Sequence, residues 1–270
     1  MLLVTGASGH LGSLIHAGLF ARGMSPLAGS RSPAPYGDSG RAMDFDDPAG
    51  PDLAGVRVLV LVSAGYGEDD VVIARHGRVI AAAERYGVEH VVYTSLAGGG
   101  DHLAFALAHR WTERRLQESA LGWTILRNGI YAELFGQLAA PVGGVVAAPF
   151  GTGGLAAVTR QDLADAAVRV AHDPTVHRGR VYELTGPVAL TAAALAGALE
   201  VPYRPVSLGA QRRALDDLNL LPFQPAMLMS IYSATAAGFL AGGHADLAGL
   251  LGRPPRDAMP VALAAARLSS

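Results

Sequence analysis

The first twelve residues, Met1-Leu-Leu-Val-Thr-Gly-Ala-Ser-Gly-His-Leu-Gly12, decide how the remainder of the chain is interpreted. Residues 2–4 form a short apolar run, which is typical of a buried parallel strand and which Thr5 and Gly6 end. A helical pattern follows, because apolar side chains recur at steps of three and four residues: Leu11, Leu14, Ile15 and Leu19. A strand that runs through a glycine-rich turn into a helix predicts a phosphate-binding turn.

Three glycines in this turn have different physical roles. Gly6 allows a tight turn between strand and helix, Gly9 lets the backbone approach a pyrophosphate, and Gly12 lets the helix pack closely on the sheet. Such a spacing also arises by chance in a chain with 34 glycines, so a purely structural turn is the alternative. The context favours a dinucleotide site, since the triplet follows a strand, opens a helix and precedes another strand-like stretch by about twenty residues.

Composition excludes several classes of function. The formal net charge of -2 is spread over interspersed acidic and basic residues, so a nucleic-acid or anionic-membrane partner is not expected. The chain contains no cysteine, which excludes disulfides, thiolate metal sites and cysteine nucleophiles. It also contains no lysine, because all 21 residues counted as Lys+Arg are arginine. Without a metal-site spacing or a signal peptide, we expect a cytoplasmic protein that binds no metal.

Strand-like and helical segments alternate through the first half of the chain. This alternation predicts an α/β protein with a Rossmann-type, doubly wound parallel sheet. We expect residues 1–135 to form the dinucleotide-binding domain and residues 136–270 to form a smaller, mostly helical substrate-binding lobe. The boundary is soft, because strands beyond it can return to the main sheet. Ligands of such sheets bind at the carboxyl ends of the strands, which gathers on one rim Gly6, Arg31, Ser63, Ser95 and Asn128.

Several element boundaries are specific expectations. A third short strand and its exit are predicted at 41–47, and a later helix is predicted at 103–120. Residues 136–159, rich in glycine and proline, are expected to form a loop with short strands, and residues 203–206 are a candidate strand. The uncharged stretch 218–244 is expected to hold a buried helix that walls a pocket, because its apolar centre is shorter than the ~20 residues that a bilayer requires.

The end of the predicted second strand is where such a fold distinguishes its cofactors. An acidic residue there binds the ribose 2'-hydroxyl of NAD, whereas an arginine accommodates the 2'-phosphate of NADP. Arg31 is present without an adjacent acid, which predicts NADP(H); a solvated loop arginine is the alternative. Asp44 and Phe45 offer an acceptor and an apolar edge to an adenine ring. Asp46 and Asp47 are alternatively caps of a short helical turn.

Together these residues resemble the NmrA-like, atypical branch of the short-chain dehydrogenase/reductase superfamily, and within it the NADPH-dependent quinone reductases. The resemblance spans most of the chain. The segments that carry it are Thr-Gly-Ala-Ser-Gly-His-Leu-Gly at 5–12, Gly-Ser-Arg-Ser at 29–32, Asp-Phe-Asp-Asp at 44–47, Tyr-Thr-Ser-Leu at 93–96, Thr-Ile-Leu-Arg-Asn-Gly at 124–129, Arg-Gln-Asp-Leu-Ala at 160–164 and Leu-Gly-Arg-Pro-Pro at 251–255.

The resemblance implies which residues bind NADP(H). Residues of the first turn would hold the pyrophosphate: Gly6, Ser8, Gly9, His10, Leu11 and Gly12. Arg31 would hold the 2'-phosphate. Residues after the third and fourth strands would lie along the adenine and the ribose: Asp44, Phe45, Ser63 and Ala64. The nicotinamide would lie near Ser95, His109 and Asn128.

One departure from the family pattern bears on mechanism. Typical reductases of the superfamily carry a tyrosine and, four residues later, a lysine on the helix after this strand, so that one face holds a proton donor and the cation that lowers its pKa. Those positions are Phe105 and His109 here, and the chain has no lysine to substitute. The sequence therefore predicts that a Tyr-Lys proton relay is absent, which counts against an ordinary alcohol dehydrogenase.

Two residues are catalytic candidates. His109 could act as an acid near neutral pH or orient a ribose, with a structural histidine as the alternative. Ser95 is a candidate polar contact beside the nicotinamide. Tyr131 and Tyr232 are candidate substrate contacts, with packing as the alternative.

The leading hypothesis is an NADPH-dependent oxidoreductase that transfers hydride to an apolar, quinone-like or aromatic carbonyl acceptor. A quinone suits the missing relay, because its reduced oxyanion is stabilised by resonance and takes its proton from water. One alternative is a non-catalytic regulatory protein that senses NADP. Another is an accessory reductase of a biosynthetic pathway. The expected ligand is a small apolar molecule, and the sequence leaves the oligomeric state open.

Overall fold

The computed structural model describes residues 1–63 and 67–269. Within them the chain forms nine strands: β1 (Leu2–Thr5), β2 (Leu27–Ser30), β3 (Gly40–Ala42), β4 (Val58–Val62), β5 (His90–Leu96), β6 (Gly122–Asn128), β7 (Gly154–Leu155), β8 (Arg180–Leu184) and β9 (Leu190–Thr191). The same residues form ten α-helices: α1 (His10–Ala21), α2 (Asp69–Arg85), α3 (Ala106–Gln117), α4 (Ala132–Leu138), α5 (Arg160–His172), α6 (Ala192–Ala198), α7 (Leu208–Asp216), α8 (Gln224–Ala236), α9 (Asp246–Leu251) and α10 (Ala258–Leu268). None of these described helices is long and apolar enough to pass through a membrane.

Seven of the described strands form one parallel sheet, in the order β3-β2-β1-β4-β5-β6-β8. Its centre is aliphatic: Leu3 on β1 is fully buried between its partners Leu27 and Leu59. A strand covered on both faces needs apolar side chains on both, which is why β1 and β4 are continuous aliphatic runs. The first six strands have the order typical of a doubly wound dinucleotide-binding sheet, so the predicted fold class is confirmed.

Helices cover both faces of the sheet. On one face α1 packs against α5, where Ile15 and Val168 belong to the same buried cluster. Gly18 permits this approach, because a Cβ there would lie 2.9 Å from a methyl carbon of Val168. On the other face α2 and α3 bury Ile80 and Leu116 completely. Because the seven strands of this sheet are parallel, their carboxyl ends lie along a common edge of the sheet.

A third buried cluster lies in the second half of the chain. It joins α4, α6, α8 and α10 through residues that include Phe135, Leu195, Ile231 and Ala262. Gly136 lets α4 approach α10, because a Cβ there would lie 2.1 Å from the carbonyl oxygen of Ala262. Two elements beyond residue 136, α5 and β8, lie in the layers of the main sheet. The division into residues 1–135 and 136–270 stays a prediction.

Segments 160–164 and 251–255, which both carry the family resemblance, meet in the fold. Asp162 on α5 is buried, and its carboxylate accepts hydrogen bonds from the Arg253 guanidinium at 2.7 Å and the Arg256 backbone N–H at 2.6 Å. The Arg256 guanidinium also bonds to it. The buried Asp162 carboxylate is thus paired with arginine side chains. These contacts join the loop before α10 to α5, which packs on the main sheet.

The third strand is short. β3 is Gly40–Ala42, so within the predicted strand and exit at 41–47 only the first two residues belong to the strand. Side chains explain the early end, because Asp44 Oδ1 accepts from the N–H of Asp46 at 3.0 Å and Asp47 Oδ1 accepts from the N–H of Ala49 at 2.9 Å. Such local bonds replace those of a strand ladder.

Four further elements differ from expectation. The helix predicted at 103–120 begins only at Ala106, because a 3-10 turn at Gly98–His102 precedes it. Residues 203–206 contribute a single bridge, from Tyr203 to Val146; Pro202 and Pro205 lack the N–H groups that a strand needs there. The sequence interpretation contains neither α4 nor α10.

Candidate active site

The glycine turn between β1 and α1 is tight. Gly6 has a positive φ of 60°, and its carbonyl accepts from the N–H of Gly9 at 2.8 Å. A Cβ at Gly12 would lie 2.2 Å from the same carbonyl oxygen, so strand and helix approach this closely only with glycine. Gly9 caps α1 without a side chain, and the first turn of the helix has no acidic residue. The helix N-terminus therefore keeps its partial positive charge for an anion.

The residues predicted to hold a pyrophosphate form two groups. Gly6, Ser8, Gly9 and His10 are exposed, whereas Leu11 and Gly12 are buried beneath them. The Leu11 side chain belongs to the core between α1 and the sheet, so its predicted contact with a pyrophosphate would be made by its backbone. Ser30 Oγ donates to Ser8 Oγ at 3.3 Å, which ties the turn to the end of β2.

Arg31 is exposed directly after β2. The structure brings Asp46 near it: the pKa of Asp46 is lowered mainly by a hydrogen bond from Arg75, with Arg31 as a smaller charge contribution. The Arg75–Asp46 ion pair, at 2.6 Å, occupies that carboxylate. Asp44 is exposed and Phe45 partly buried at the exit from β3, and their place beside the adenine stays a prediction.

A cavity of about 220 Å³ lies at the carboxyl ends of β4, β5 and β6. It brings together five predicted site residues: Ser63, Ser95, His109, Asn128 and Tyr131. Apolar side chains from α2, the start of α3, α4 and α8 form other parts of its wall: Val72, Phe105, Leu134, Met227 and Ile231. A concave, mostly apolar space with a few polar groups is typical of a small-molecule site.

Asn128 presents an unsatisfied polar atom at this cavity. Its side chain is buried, and among the described residues Oδ1 has no hydrogen-bond partner. Leaving a buried amide oxygen unpaired costs roughly 1–3 kcal/mol, and native proteins rarely tolerate it without a reason. A ligand that brings a hydrogen-bond donor to this end of the cavity would remove the cost.

His109 reaches the cavity wall from α3 as a neutral imidazole. Burial, and to a smaller extent the charge of Arg110, lowers its pKa to about 4. Its Nδ1 lies 2.9 Å from the Tyr93 hydroxyl. The Phe105 ring stands edge-on to the imidazole, 6.4 Å between ring centres.

A buried polar chain behind His109 is missing from the sequence interpretation. Tyr93 is fully buried, and burial raises its pKa above the ordinary value. The Thr112 hydroxyl donates to the Ala108 carbonyl at 2.8 Å, so it accepts from the N–H at Nδ1 of His76, 2.8 Å away. Burial lowers the pKa of His76 to about 3, so this imidazole is also neutral. Alternation along β5 and three-residue steps along α3 were the signals that place these side chains on facing surfaces.

A family model described as NAD(P)H-binding matches residues 6–174, more than half of the chain. The chain belongs to the NAD(P)H-binding family. Quinone oxidoreductase 2 of Escherichia coli is 33% identical over 94% of this chain and 94% of its own length. A solved NADPH-dependent quinone oxidoreductase from Escherichia coli, complexed with NADPH, is 30% identical, with a TM-score of 0.85 over 100% of both chains. Triphenylmethane reductase from Citrobacter sp., complexed with NADP(H), is 25% identical, with a TM-score of 0.86 over 100% of this chain and 99% of its own.

These similarities confirm the resemblance to the NmrA-like branch with its quinone reductases, and they confirm the class of NAD(P)H-dependent oxidoreductase. The residues of this NAD(P)H-binding protein also fit a dinucleotide. A Cβ at Gly9 would lie 3.2 Å from the Gly6 carbonyl oxygen, so the turn has room for little beyond backbone. The open N-terminus of α1 suits a pyrophosphate. The unpaired Asn128 Oδ1 suits a hydrogen-bond donor at the other end of the dinucleotide.

The remaining predicted residues of this NAD(P)H-binding site lie in different surroundings. Ser95 is buried, and its hydroxyl donates to Glu113 at 2.5 Å. Tyr131 lies at the cavity with the Arg160 guanidinium 4.7 Å from its ring centre, and burial raises its pKa. Ala64 lies outside the described residues. Within them, no group of three or more His, Asp or Glu side chains is arranged to hold a metal ion.

The structure does not bring Tyr232 to the cavity. Its side chain is 3% exposed, and its hydroxyl donates to the Leu138 carbonyl at 3.2 Å. Its ring packs 4.8 Å from that of Phe150. Ile231, one residue earlier on α8, is the residue that lines the cavity. Successive helical residues point about 100° apart, so both cannot face the same wall.

Proposed function

We propose that this protein is an NADPH-dependent reductase of apolar, quinone-like or aromatic carbonyl acceptors that works without a Tyr-Lys proton relay. The observation that carries the proposal is the largely apolar cavity at the carboxyl ends of β4, β5 and β6, with the unpaired Asn128 Oδ1 in its wall. Ligands of doubly wound sheets bind at this edge. The quinone oxidoreductases and the triphenylmethane reductase among the relatives support an apolar acceptor.

The proposed cofactor is NADP(H) in preference to NAD(H). In this proposal the exposed Arg31 binds the 2'-phosphate. The nearby Asp46 carboxylate forms an ion pair with Arg75, which offsets its repulsion of the phosphate. The amides at the start of α1 bind the pyrophosphate, with Gly9 leaving the space that this approach requires and Gly12 letting the helix approach the strand. The NADP(H) complexes of two relatives support the same choice.

When bound, NADPH supplies the hydride, and the protein supplies position and a dry space. Phe105, Leu134 and Ile231 exclude water and press a flat acceptor against the polar side of the cavity. His109 is neutral at pH 7 because its pKa is about 4, so it serves as a hydrogen-bonding wall group and not as an imidazolium acid. The reduced oxygen of a quinone is stabilised by resonance and takes its proton from water.

Consumption of NADPH with a panel of quinones, aromatic aldehydes and enones tests the proposal. We expect turnover with quinones and little with simple aldehydes, whose alkoxide needs an acid. Tight binding of NADP⁺ without turnover of any acceptor would contradict it and support the alternative, a regulatory protein that senses NADP. An accessory reductase of a biosynthetic pathway would instead turn over only a specialised acceptor outside the panel.

Two neighbouring residues on α8 give a matched test of the acceptor site. Met227 lines the cavity, whereas Ala226 is exposed. Met227→Trp should raise the KM for a quinone several-fold by filling the cavity, with no change in the affinity for NADP⁺. Ala226→Trp should change neither quantity. Equal kinetics in both variants would place the acceptor elsewhere.

A further inference from the structure

A second cavity adjoins the first cavity, the one that His109 and Asn128 line at the carboxyl ends of β4, β5 and β6. The second cavity has a volume of about 230 Å³. Its walls are residues that follow β5, β6 and β8, together with β7 and the segment between α8 and α9. Three residues line both cavities: Leu96, Gly129 and Ile130. The two cavities therefore share a wall, and a ligand bound in one lies next to the other.

The walls of the second cavity are mostly apolar. Its largest apolar side chains are aliphatic or aromatic: Leu96, Ile130, Leu155, Phe239 and Leu240. None of the described residues that line it is an aspartate, a glutamate or an arginine. An ionised group buried in such surroundings would lose its hydration without gaining a charged partner. The second cavity therefore favours an uncharged, apolar group.

The wall that follows β5 is held in place from behind by charged side chains. Arg110 donates to the carbonyl oxygens of Leu96 at 2.8 Å and Ala97 at 3.2 Å. The Glu183 carboxylate accepts from the backbone N–H of Gly98 at 2.8 Å. Hydrogen bonds to charged groups are stronger than those between neutral groups. These bonds fix the backbone of this wall, and with it the shape of the second cavity.

The opposite wall opens to solvent. Phe239 is 48% exposed, and its ring stacks on that of His102 with 3.9 Å between the ring centres. Gly242 and His244, which also line the second cavity, are exposed as well. A group longer than the second cavity can therefore extend past these residues to the surface.

The first cavity has little space for a substituted acceptor. Small-molecule sites usually measure about 300–1,000 Å³. The first cavity measures about 220 Å³, and in the proposed function it takes the acceptor ring beside the cofactor. A long substituent on that ring has to leave the first cavity. Leu96 and Ile130 are aliphatic, so the shared wall favours an alkyl chain over a polar substituent.

We propose that the second cavity binds an uncharged alkyl side chain of the acceptor, whose quinone ring lies in the first cavity. The preferred acceptor is then an alkyl-substituted quinone. The second cavity sets the preference among quinones, and the ring alone receives the hydride. The second cavity has this role only if the first cavity takes the ring, so the inference rests on the proposed function.

Two quinones that differ only in the chain test the inference. One is a benzoquinone that bears methoxy and methyl groups, and the other is the same ring with an added decyl chain. The chain preference is the ratio of kcat/KM for the decyl quinone to kcat/KM for the bare quinone. Each buried methylene contributes about fourfold in affinity. With several methylenes in the second cavity, the wild type should show a chain preference of at least about tenfold.

Gly242→Trp fills the second cavity at its opening. A Cβ at Gly242 would meet no heavy atom within 4 Å, and the residue does not have a positive φ, so a side chain causes no backbone strain. The chain preference should fall to below about threefold, because the indole takes the space of the methylenes. Gly249 on α9 is also exposed, and a Cβ there would likewise meet nothing within 4 Å. Gly249→Trp is therefore the control and should retain the wild-type preference.

Phe239→Ala removes a contact surface for the chain. Because the ring is half-exposed, the variant should fold, and the chain preference should fall several-fold. Phe20 on α1 is 69% exposed and lines neither cavity, so Phe20→Ala is the matched control. Thermal unfolding of all four variants verifies that each is folded.

The first cavity supplies the contrasting result. Met227→Trp should lower kcat/KM for both quinones alike and leave the chain preference as in the wild type, since Met227 lines only the first cavity. A wild-type chain preference near one would overturn the inference. So would a preference that neither Gly242→Trp nor Phe239→Ala reduces. In both cases turnover of the bare quinone would leave the proposed function intact, whereas a lack of turnover with either quinone would overturn both.

Discussion

The Tyr93 hydroxyl lies 2.9 Å from Nδ1 of His109, so the histidine in the cavity wall is bonded to a fully buried side chain. Burial lowers the pKa of His109 to about 4. The imidazole is therefore neutral across the range in which an ordinary histidine titrates. In the sequence His109 looks like an acid that titrates near neutral pH, whereas burial in the fold keeps its imidazole neutral.

His109→Phe should consequently lower quinone turnover by less than about tenfold, against the 10²- to 10⁴-fold typical of a lost general acid. The rate should stay nearly flat with pH through the range in which histidine titrates, in both wild type and variant. Steady-state rates with one quinone and one aldehyde measure both effects. A roughly thousandfold loss that follows a titration near neutrality would identify His109 as the acid.

Arg31→Ala should weaken NADP⁺ binding and leave NAD⁺ binding unchanged. A charge-assisted contact to phosphate contributes ~1.5–3 kcal/mol, or roughly ten- to a hundredfold in affinity. Calorimetry with both nucleotides measures the change. Arg22, exposed after α1, supplies the control substitution to alanine, which should bind both nucleotides as the wild type does. Equal affinity of the wild type for NADP⁺ and NAD⁺ would remove the basis for assigning Arg31.

Two glycines of the first turn should respond differently to substitution. Gly9 is exposed, and a Cβ there would lie 3.2 Å from the Gly6 carbonyl oxygen, so Gly9→Val should leave a folded protein that no longer binds the dinucleotide. Gly12→Ala places a Cβ 2.2 Å from that oxygen and should destabilise the fold by about 1–3 kcal/mol. Thermal unfolding and calorimetry on both variants separate the effects. Normal binding by Gly9→Val would mean that the turn is structural.

The buried histidines make the fold sensitive to acid. Burial lowers the pKa of His90 to about 4, and its Nε2 lies 2.9 Å from Thr124 Oγ1. The unfolded chain takes up this proton near pH 6.5, well above the folded pKa. The neutral histidine therefore contributes stability above about pH 6.5, which is lost as the pH falls toward 4 at about 1.4 kcal/mol per pH unit.

Replacement of this histidine by a group that does not titrate should flatten the loss. His90→Gln keeps a donor for Thr124 and should lower the slope of unfolding free energy against pH by about one proton between pH 6 and 4.5. Urea unfolding at several pH values measures the slope. His244→Gln, at an exposed position, should retain the wild-type slope. An unchanged slope in His90→Gln would show that the residue is protonated in the native state.

The sequence predicts the sheet well because burial on both faces leaves a visible mark. The aliphatic runs of β1 and β4 and the turn at Gly6 are local signals, and the parallel topology then brings Ser63, Ser95 and Asn128 to one edge. The end of β3 was harder to predict, because it depends on which backbone groups the Asp44 and Asp47 side chains bond.

The site is less predictable where side chains from distant segments meet. Glu113 looks like an ordinary helical carboxylate until β6 brings Arg127 against it. Tyr232 lies on a helix that is apolar on most sides, so no polar stripe indicates which residues face the cavity and which face the core. An error of one residue in the predicted orientation of α8 places Tyr232 at the cavity in place of Ile231.

The cavity combines two parts of the chain that differ in what constrains them. Its base is formed by strand ends, where Ser95 and Asn128 are held by the register of the sheet. Its cover includes Met227 and Ile231 on α8, a helix fixed from behind by the close contact of Gly153 with Thr235. Substitutions on the cavity side of α8 can therefore change which acceptor fits without disturbing the strand ends. Relatives that keep the same strand ends are thus free to diverge in the molecules that they reduce.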